Sequence, residues 1–172
     1  MAIEGFRQAA VLVPLLAGED GLELLFTVRS STLNNHAGQI SFPGGRVDRG
    51  ETVKAAAQRE TFEEVGVTVG NQQLLGCLDD HPSPARYIVT PVVALLEWPQ
   101  PLRLNPAEVD SVFTLPLRDL LALKPYVEER QLKQYRRNLH FYPHGERLIW
   151  GLTGNILKNV LDLLRDLDVR LP

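Results

Sequence analysis

Two short apolar runs open the chain, Ala9 to Leu16 and Leu22 to Val28, with Gly18, Asp20 and Gly21 between them. Short apolar runs bounded by turn residues predict a β-hairpin. A stretch punctuated by Gly and Pro follows, ending in Phe42-Pro43-Gly44-Gly45. Val53 to Val65 then predicts a helix, with Thr52 as its N-cap and Gly66 at its stop. Leu74 to Leu78 and Tyr87 to Leu96 read as strands. Pro91 cannot donate to a ladder, so it predicts an edge position, a bulge or a break in the second of these. Pro99, Pro101 and Pro106 mark a loop. Beyond it come a strand over Val109 to Leu115 and a short helix over Leu117 to Leu123. A hairpin of Leu139 to Tyr142 with Leu148 to Trp150 turns at Pro143 to Gly145. From Ile156 to Leu167 the apolar residues Ile156, Leu157, Val160, Leu161, Leu163 and Leu164 follow the helical period. Mixed, sparse charges assign that helix to a core rather than to a membrane surface. Strands interleaved with a few helices predict a layered α/β or α+β domain.

Composition narrows the class. At 172 residues and 44% hydrophobic content, one domain over residues 1–172 can bury a single core. A net charge of -3 argues against a general nucleic-acid binder, which carries a basic excess. Cys77 is the single cysteine, which excludes an internal disulfide and a multi-cysteine zinc site. Its apolar neighbours predict a core position, and the lack of cysteine pairs points to a reducing compartment. The segment Met1 to Arg7 has no basic leader character. No apolar run approaches the roughly 20 residues that span a bilayer. The expectation is a cytoplasmic protein with no membrane partner.

Chemistry concentrates in residues 45–67, GRVDRGETVKAAAQRETFEEVGV. Glu60, Glu63 and Glu64 are spaced i, i+3 and i+4, so they share one helical face, where like charges repel. Ala56 lies on that face one turn earlier and would leave space there. A solvated acidic face is one reading. The other is a hard divalent cation, Mg²⁺ or Mn²⁺, which turns repulsion between carboxylates into binding. Without these three glutamates the chain would be neutral, so its small acidic excess is equivalent to one such site.

The surrounding residues decide between the two. Gly45, Glu51, Arg59, Glu60, Glu63, Glu64 and Gly66 match the Nudix box, G-x5-E-x7-R-E-U-x-E-E-x-G-U with U bulky and apolar. Agreement at all these fixed positions by chance is on the order of 10⁻⁸ to 10⁻⁹ per starting residue at average usage. Val67 supplies the last U; Thr61 departs from the first, on the packing side of the helix. The chain therefore resembles the Nudix hydrolases, which cleave a nucleoside diphosphate linked to another group. That resemblance implies an α/β/α sandwich around a mixed sheet, with the box as loop-helix-loop. It also implies Mg²⁺ or Mn²⁺ bound by Glu60 and Glu64, with Glu63 a further ligand or a base, and the Gly44 carbonyl joining them. Arg59 corresponds to the arginine that orients the glutamates, and Glu51 to a structural position. Such sites recruit one more acid from a distant loop. Glu108, in Asn105-Pro-Ala-Glu-Val, is the candidate, with an ordinary loop acid as the alternative.

A second resemblance lies upstream. Residues 25–45, LFTVRSSTLNNHAGQISFPGG, are similar to the signature of the coenzyme A pyrophosphatase branch at Thr27, Ser30, Gly38 and Phe42-Pro43-Gly44-Gly45. The middle departs, with Asn34 in place of Arg, Arg29 in place of Thr and Phe26 in place of Leu. Losing a guanidinium matters, because Arg is the natural bidentate partner of phosphate. Val89-Thr-Pro-Val-Val and Leu148-Ile-Trp-Gly-Leu-Thr are similar to the same branch. The resemblance implies hydrolysis of coenzyme A or its thioesters to 3',5'-ADP and 4'-phosphopantetheine or its acyl form. Hydrolysis of another nucleoside diphosphate derivative, such as ADP-ribose, NADH or a dNTP, is the alternative. A non-catalytic nucleotide sensor is a third reading, against which stands the complete set of box carboxylates.

An anionic substrate calls for basic residues, and Arg29, Arg46 and Arg86 are the candidates. Arg130, Lys133, Arg136, Arg137 and Arg147 form a basic stretch that either meets a 3'-phosphate or is a solvated strand. The four histidines show no zinc spacing; His36 lies near the box loop, in reach of substrate or in a structural role. Trp98 and Trp150 are expected to pack.

Overall fold

The computed structural model describes residues 4–32, 37–131 and 136–167. Strands β1 (Arg7–Gly18) and β2 (Gly21–Arg29) form the predicted hairpin. Two short strands, β3 (Ile40–Ser41) and β4 (Gly44–Arg46), lead into helix α1 (Val53–Val65). Next come β5 (Leu74–Cys77), β6 (His81–Pro82), β7 (Tyr87–Glu97) and β8 (Val109–Pro116). Helix α2 (Leu117–Ala122) follows, then β9 (Tyr126–Gln131), β10 (Arg136–His144), β11 (Arg147–Ile149) and α3 (Gly151–Asp166).

The main sheet is mixed. Its path runs β3-β2-β1-β7-β5, with β4 also on β1, β6 also on β7 and β8 on β2. Among the described residues only β1 and β7 are parallel; the other pairs of this sheet are antiparallel. A smaller sheet has the order β11-β10-β9. Alternation along β1 sends its side chains to two cores. Ala10, Leu12 and Leu16 pack with Ala56, Ala57 and Val65 of α1. Val13 and Leu15 pack with Leu117 and Leu120 of α2 and with Ile156, Leu157 and Leu161 of α3. Helices on both faces of a mixed sheet give the predicted α/β/α sandwich. No helix among the described residues is long and apolar enough to cross a membrane.

Four expectations change. Pro91 does not interrupt its strand, because β7 runs through it, paired to Val11 of β1. The break falls in the neighbours instead. β5 ends and β6 begins opposite Pro91, so no partner strand there needs the missing N–H, and Leu78 N–H donates to the Pro91 carbonyl. Cys77 is exposed rather than core, because β5 is an edge strand with one face in solvent. Ala56 leaves no open space beside the glutamates; it is fully buried under the sheet. Helix α3 begins five residues before the predicted Ile156.

Candidate active site

Thr52 caps α1 as predicted, its Oγ1 accepting from Ala55 N–H at 3.1 Å. Gly66 ends the helix at φ 76°, donating its N–H to the Phe62 carbonyl. A side chain there would meet the Arg103 backbone at 3.0 Å. That close approach lets the following loop dock on the helix end, with Arg103 N–H on the Val65 carbonyl and Asn105 N–H on the Glu64 carbonyl. The loop then turns at Asn105, which accepts from both Glu108 and Val109 N–H.

This docking brings a distant acid to the helix. Glu60, Glu64 and Glu108 each offer a carboxylate oxygen, and these lie within 4.8 Å of one another. Glu63 stands outside the trio, exposed, with its carboxylate on Arg59 Nη1 at 3.1 Å. The i, i+3, i+4 face is therefore split: Glu60 and Glu64 turn toward the sheet, and Glu63 turns toward solvent.

Gly44 and Gly45 provide the space. At Gly44 φ is 156°, and a Cβ would lie 2.3 Å from the Ala10 carbonyl oxygen. Its N–H donates to Glu64 Oε2 at 3.2 Å. A Cβ on Gly45 would collide with the Glu60 carboxylate. Arg59 holds the outer side. Its Nε and Nη2 bond Glu51 Oε1 and Oε2, each at 3.0 Å, and its Nη1 reaches Glu60 Oε1 at 2.8 Å. Nη2 also donates to the Arg46 carbonyl at 2.9 Å, which ties the helix to the loop before it.

Electrostatics follow burial. The Arg59 hydrogen bonds hold the Glu51 carboxyl below its ordinary value. Glu60 is raised, chiefly because burial strips water from it. Glu64 is pushed up to about 8 by burial, against the Gly44 hydrogen bond and the Arg29 charge, with Glu108 and Glu60 adding repulsion. Crowded carboxylates at this cost are a poor choice for stability alone. Hard oxygen donors so placed suit a divalent cation, so the residues fit the ion that the box implies.

The basic candidates diverge. Arg29 is close enough to Glu64 to lower its pKa, and it also lines a cleft of about 510 Å³. The residues similar to the branch signature hold it there. Thr27 Oγ1 donates to the Ser41 carbonyl at 3.1 Å, and Gly38, at φ 70°, closes the turn with its N–H on the Arg29 carbonyl. Ser30 N–H donates to the Glu108 carbonyl at 2.9 Å, joining that turn to the third carboxylate. Arg46 is exposed, 5.8 Å from the Tyr87 ring centre. Arg86 is exposed on a turn whose neighbours, Pro84, Ala85 and Tyr87, line the cleft while it does not. Asn34, His36 and Lys133 lie outside the described residues.

Nothing in the sequence pattern marks Tyr87, and Trp150 is expected only to pack, yet both line the cleft. Trp150 does pack, its ring stacked on Phe141 at 5.7 Å. Only the position of the Trp at the head of α3, beside β3, reveals its second face.

The family model for the NUDIX domain matches residues 6–137. The chain belongs to this family. It is 42% identical over 155 residues to the Nudix hydrolase NudL of Photorhabdus laumondii, covering 88% of this chain and 81% of that relative. It is 41% identical over 162 residues to the human mitochondrial coenzyme A diphosphatase NUDT8, covering 91% of this chain and 69% of that relative. Among solved structures, a MutT/nudix family protein from Enterococcus faecalis superposes with a TM-score of 0.67 at 18% identity. That match covers 96% of this chain and 64% of the Enterococcus chain, and it supports the fold. The chain is a Nudix hydrolase, of a family that generally uses divalent metal ions and acts on small nucleotide derivatives.

Proposed function

We propose that this Nudix hydrolase splits the pyrophosphate of coenzyme A or its thioesters with water. The products are 3',5'-ADP and 4'-phosphopantetheine or its acyl form. The carrying observation is Arg29, which lines the 510 Å³ cleft and lies near enough to the carboxylate trio for its charge to act on Glu64. A diphosphate at that junction would meet a guanidinium on one side and the acidic cluster on the other. The identity with NUDT8, named for coenzyme A hydrolysis, supports the same substrate.

Glu60, Glu64 and the Gly44 carbonyl would hold Mg²⁺ or Mn²⁺. Such an ion supplies charge neutralisation and a more acidic water. Glu108 completes the carboxylate cluster, which supports a role for it as the base that takes the proton from the attacking water. Glu63, fixed by Arg59, is the other group able to do so. Arg59 positions Glu60 and Glu63. Arg46 and Arg86 contribute positive field at the rim rather than a fixed contact.

Product analysis tests this reading. With Mg²⁺ or Mn²⁺ present, coenzyme A should yield equal amounts of 3',5'-ADP and 4'-phosphopantetheine. Intact coenzyme A after prolonged incubation, with another nucleoside diphosphate derivative consumed, would sink it.

A further inference from the structure

The cleft beside Arg29 carries more positive charge than one diphosphate requires. Arg130 and Arg137 line it as well, and none of the described residues lining it is acidic. The two arginines face each other directly across the β9–β10 ladder. Like charges opposite one another repel across an antiparallel pair, and an anion bound between them would be favoured. Glu128, two residues away on the same strand, accepts from Arg130 Nη2 at 3.3 Å. Arg137 is steered by a hydrogen bond from Nη1 to the Pro82 carbonyl. It is also shared with an adjoining hollow of about 330 Å³ lined by His81 and Lys158.

The remaining walls fit a base. Trp150 stacks on Phe141, and Phe141 on Tyr126 at 4.8 Å and 5°, so the indole is backed by a rigid column. Stacking on such a ring is how proteins hold a nucleobase without reading its sequence. Two buried side-chain polar atoms lack a partner among the described residues, Arg29 Nε and Tyr87 Oη. Both residues line this cleft. Buried donors without partners are rare and mark places where a ligand completes the network.

We propose that the cleft takes the nucleotide end of the substrate, and that Arg130 and Arg137 bind a phosphomonoester on that nucleotide, apart from the diphosphate being cleaved. The two arginines stand on the small sheet, whereas Glu60 and Glu64 stand on α1, Glu108 on the loop before β8 and Arg29 on the main sheet, so two phosphate sites are served by separate elements. Naming that group the 3'-phosphate of coenzyme A rests on the proposed function; the phosphomonoester site itself does not.

Calorimetric titration of the metal-loaded protein with adenosine 3',5'-bisphosphate and with adenosine 5'-monophosphate is the test. Wild type should bind the bisphosphate about tenfold tighter or better, the usual effect of charge-assisted hydrogen bonds. The Arg130→Met, Arg137→Met double variant should bring the two affinities within about threefold. Arg130 is exposed, so Arg130→Met alone decides the matter if the double variant does not fold; it should lose at least about threefold of the preference. Equal wild-type affinities, or a preference kept in the variants, would overturn the proposal. Coenzyme A hydrolysis in the same preparations separates the two readings. Preference without hydrolysis removes the proposed activity and leaves the subsite; hydrolysis without preference removes the subsite alone.

Discussion

The carboxylate of Glu60 occupies the volume that a Cβ on Gly45 would need, with its Cδ 2.4 Å from that point. Two fixed residues of one sequence pattern are thus two sides of a single contact. The glycine is required by the glutamate rather than by its own backbone. Gly45→Ala should therefore fold but push the Glu60 side chain aside. We expect turnover to fall by about tenfold or more, with the melting temperature close to wild type. Unchanged turnover would show that Glu60 tolerates displacement and is not held in a working geometry.

Glu60→Gln keeps the shape and removes the charge. Turnover should drop by about a hundredfold or more if this carboxylate anchors the ion. Mg²⁺ should also raise the melting temperature of wild type more than that of the Glu60→Gln, Glu64→Gln double variant, since only the folded state presents the cluster. Equal shifts in both proteins would remove the carboxylates from metal binding.

Glu64 gives a pH dependence with a definite sign. Its pKa in the folded, metal-free protein is raised to about 8, above the ordinary carboxylate value that the unfolded chain retains. The folded state thus binds more protons than the unfolded state between those values. Its contribution to stability is fully present below the unfolded pKa and is lost as pH rises toward 8. Metal-free protein should lose stability across that window, and Glu64→Gln should flatten the loss. Metal affinity should rise over the same window as the proton leaves. Denaturant titrations at several pH values check this, and identical slopes for both proteins would contradict it.

Thr61 is buried, with its Oγ1 donating to the Ala57 carbonyl at 2.7 Å. It lines a small void of about 10 Å³ with Val65, Val67 and Leu96. A bulkier apolar residue at this position, as in the box pattern, would reach into that space. Thr61→Ile should fill it and stabilise the fold by about 0.5–1 kcal/mol, or roughly 2–4 °C in melting temperature. A lower melting temperature would mean that the void cannot accept the added methyl.

Much of this was legible in the chain. The box resemblance pointed to Glu60 and Glu64 as ligands, although spacing alone put Glu63 on the same face, and Asn105-Pro-Ala-Glu-Val pointed to Glu108 across a distance of 44 residues from Glu64. What the pattern hid has physical causes. β9 was missed because Tyr126–Gln131 is exposed at every position, so no buried face imposes an alternation. The first turn of α3 was missed because Gly151 and Gly154 resemble a loop. Gly154 is needed there, since a Cβ would lie 2.3 Å from the His140 carbonyl oxygen of β10. Cys77 was misplaced because local apolarity does not distinguish a central strand from an edge. The facing of Arg130 and Arg137 depends on a ladder register that spacing alone does not reveal.

Competition among substrates tests the central claim most directly. Coenzyme A, ADP-ribose, NADH and a dNTP would be offered together at equal concentration with Mg²⁺, and their disappearance followed by mass spectrometry. The account predicts that coenzyme A is consumed first, giving 3',5'-ADP, and that Glu60→Gln suppresses its loss. Earlier consumption of any of the other three would contradict it.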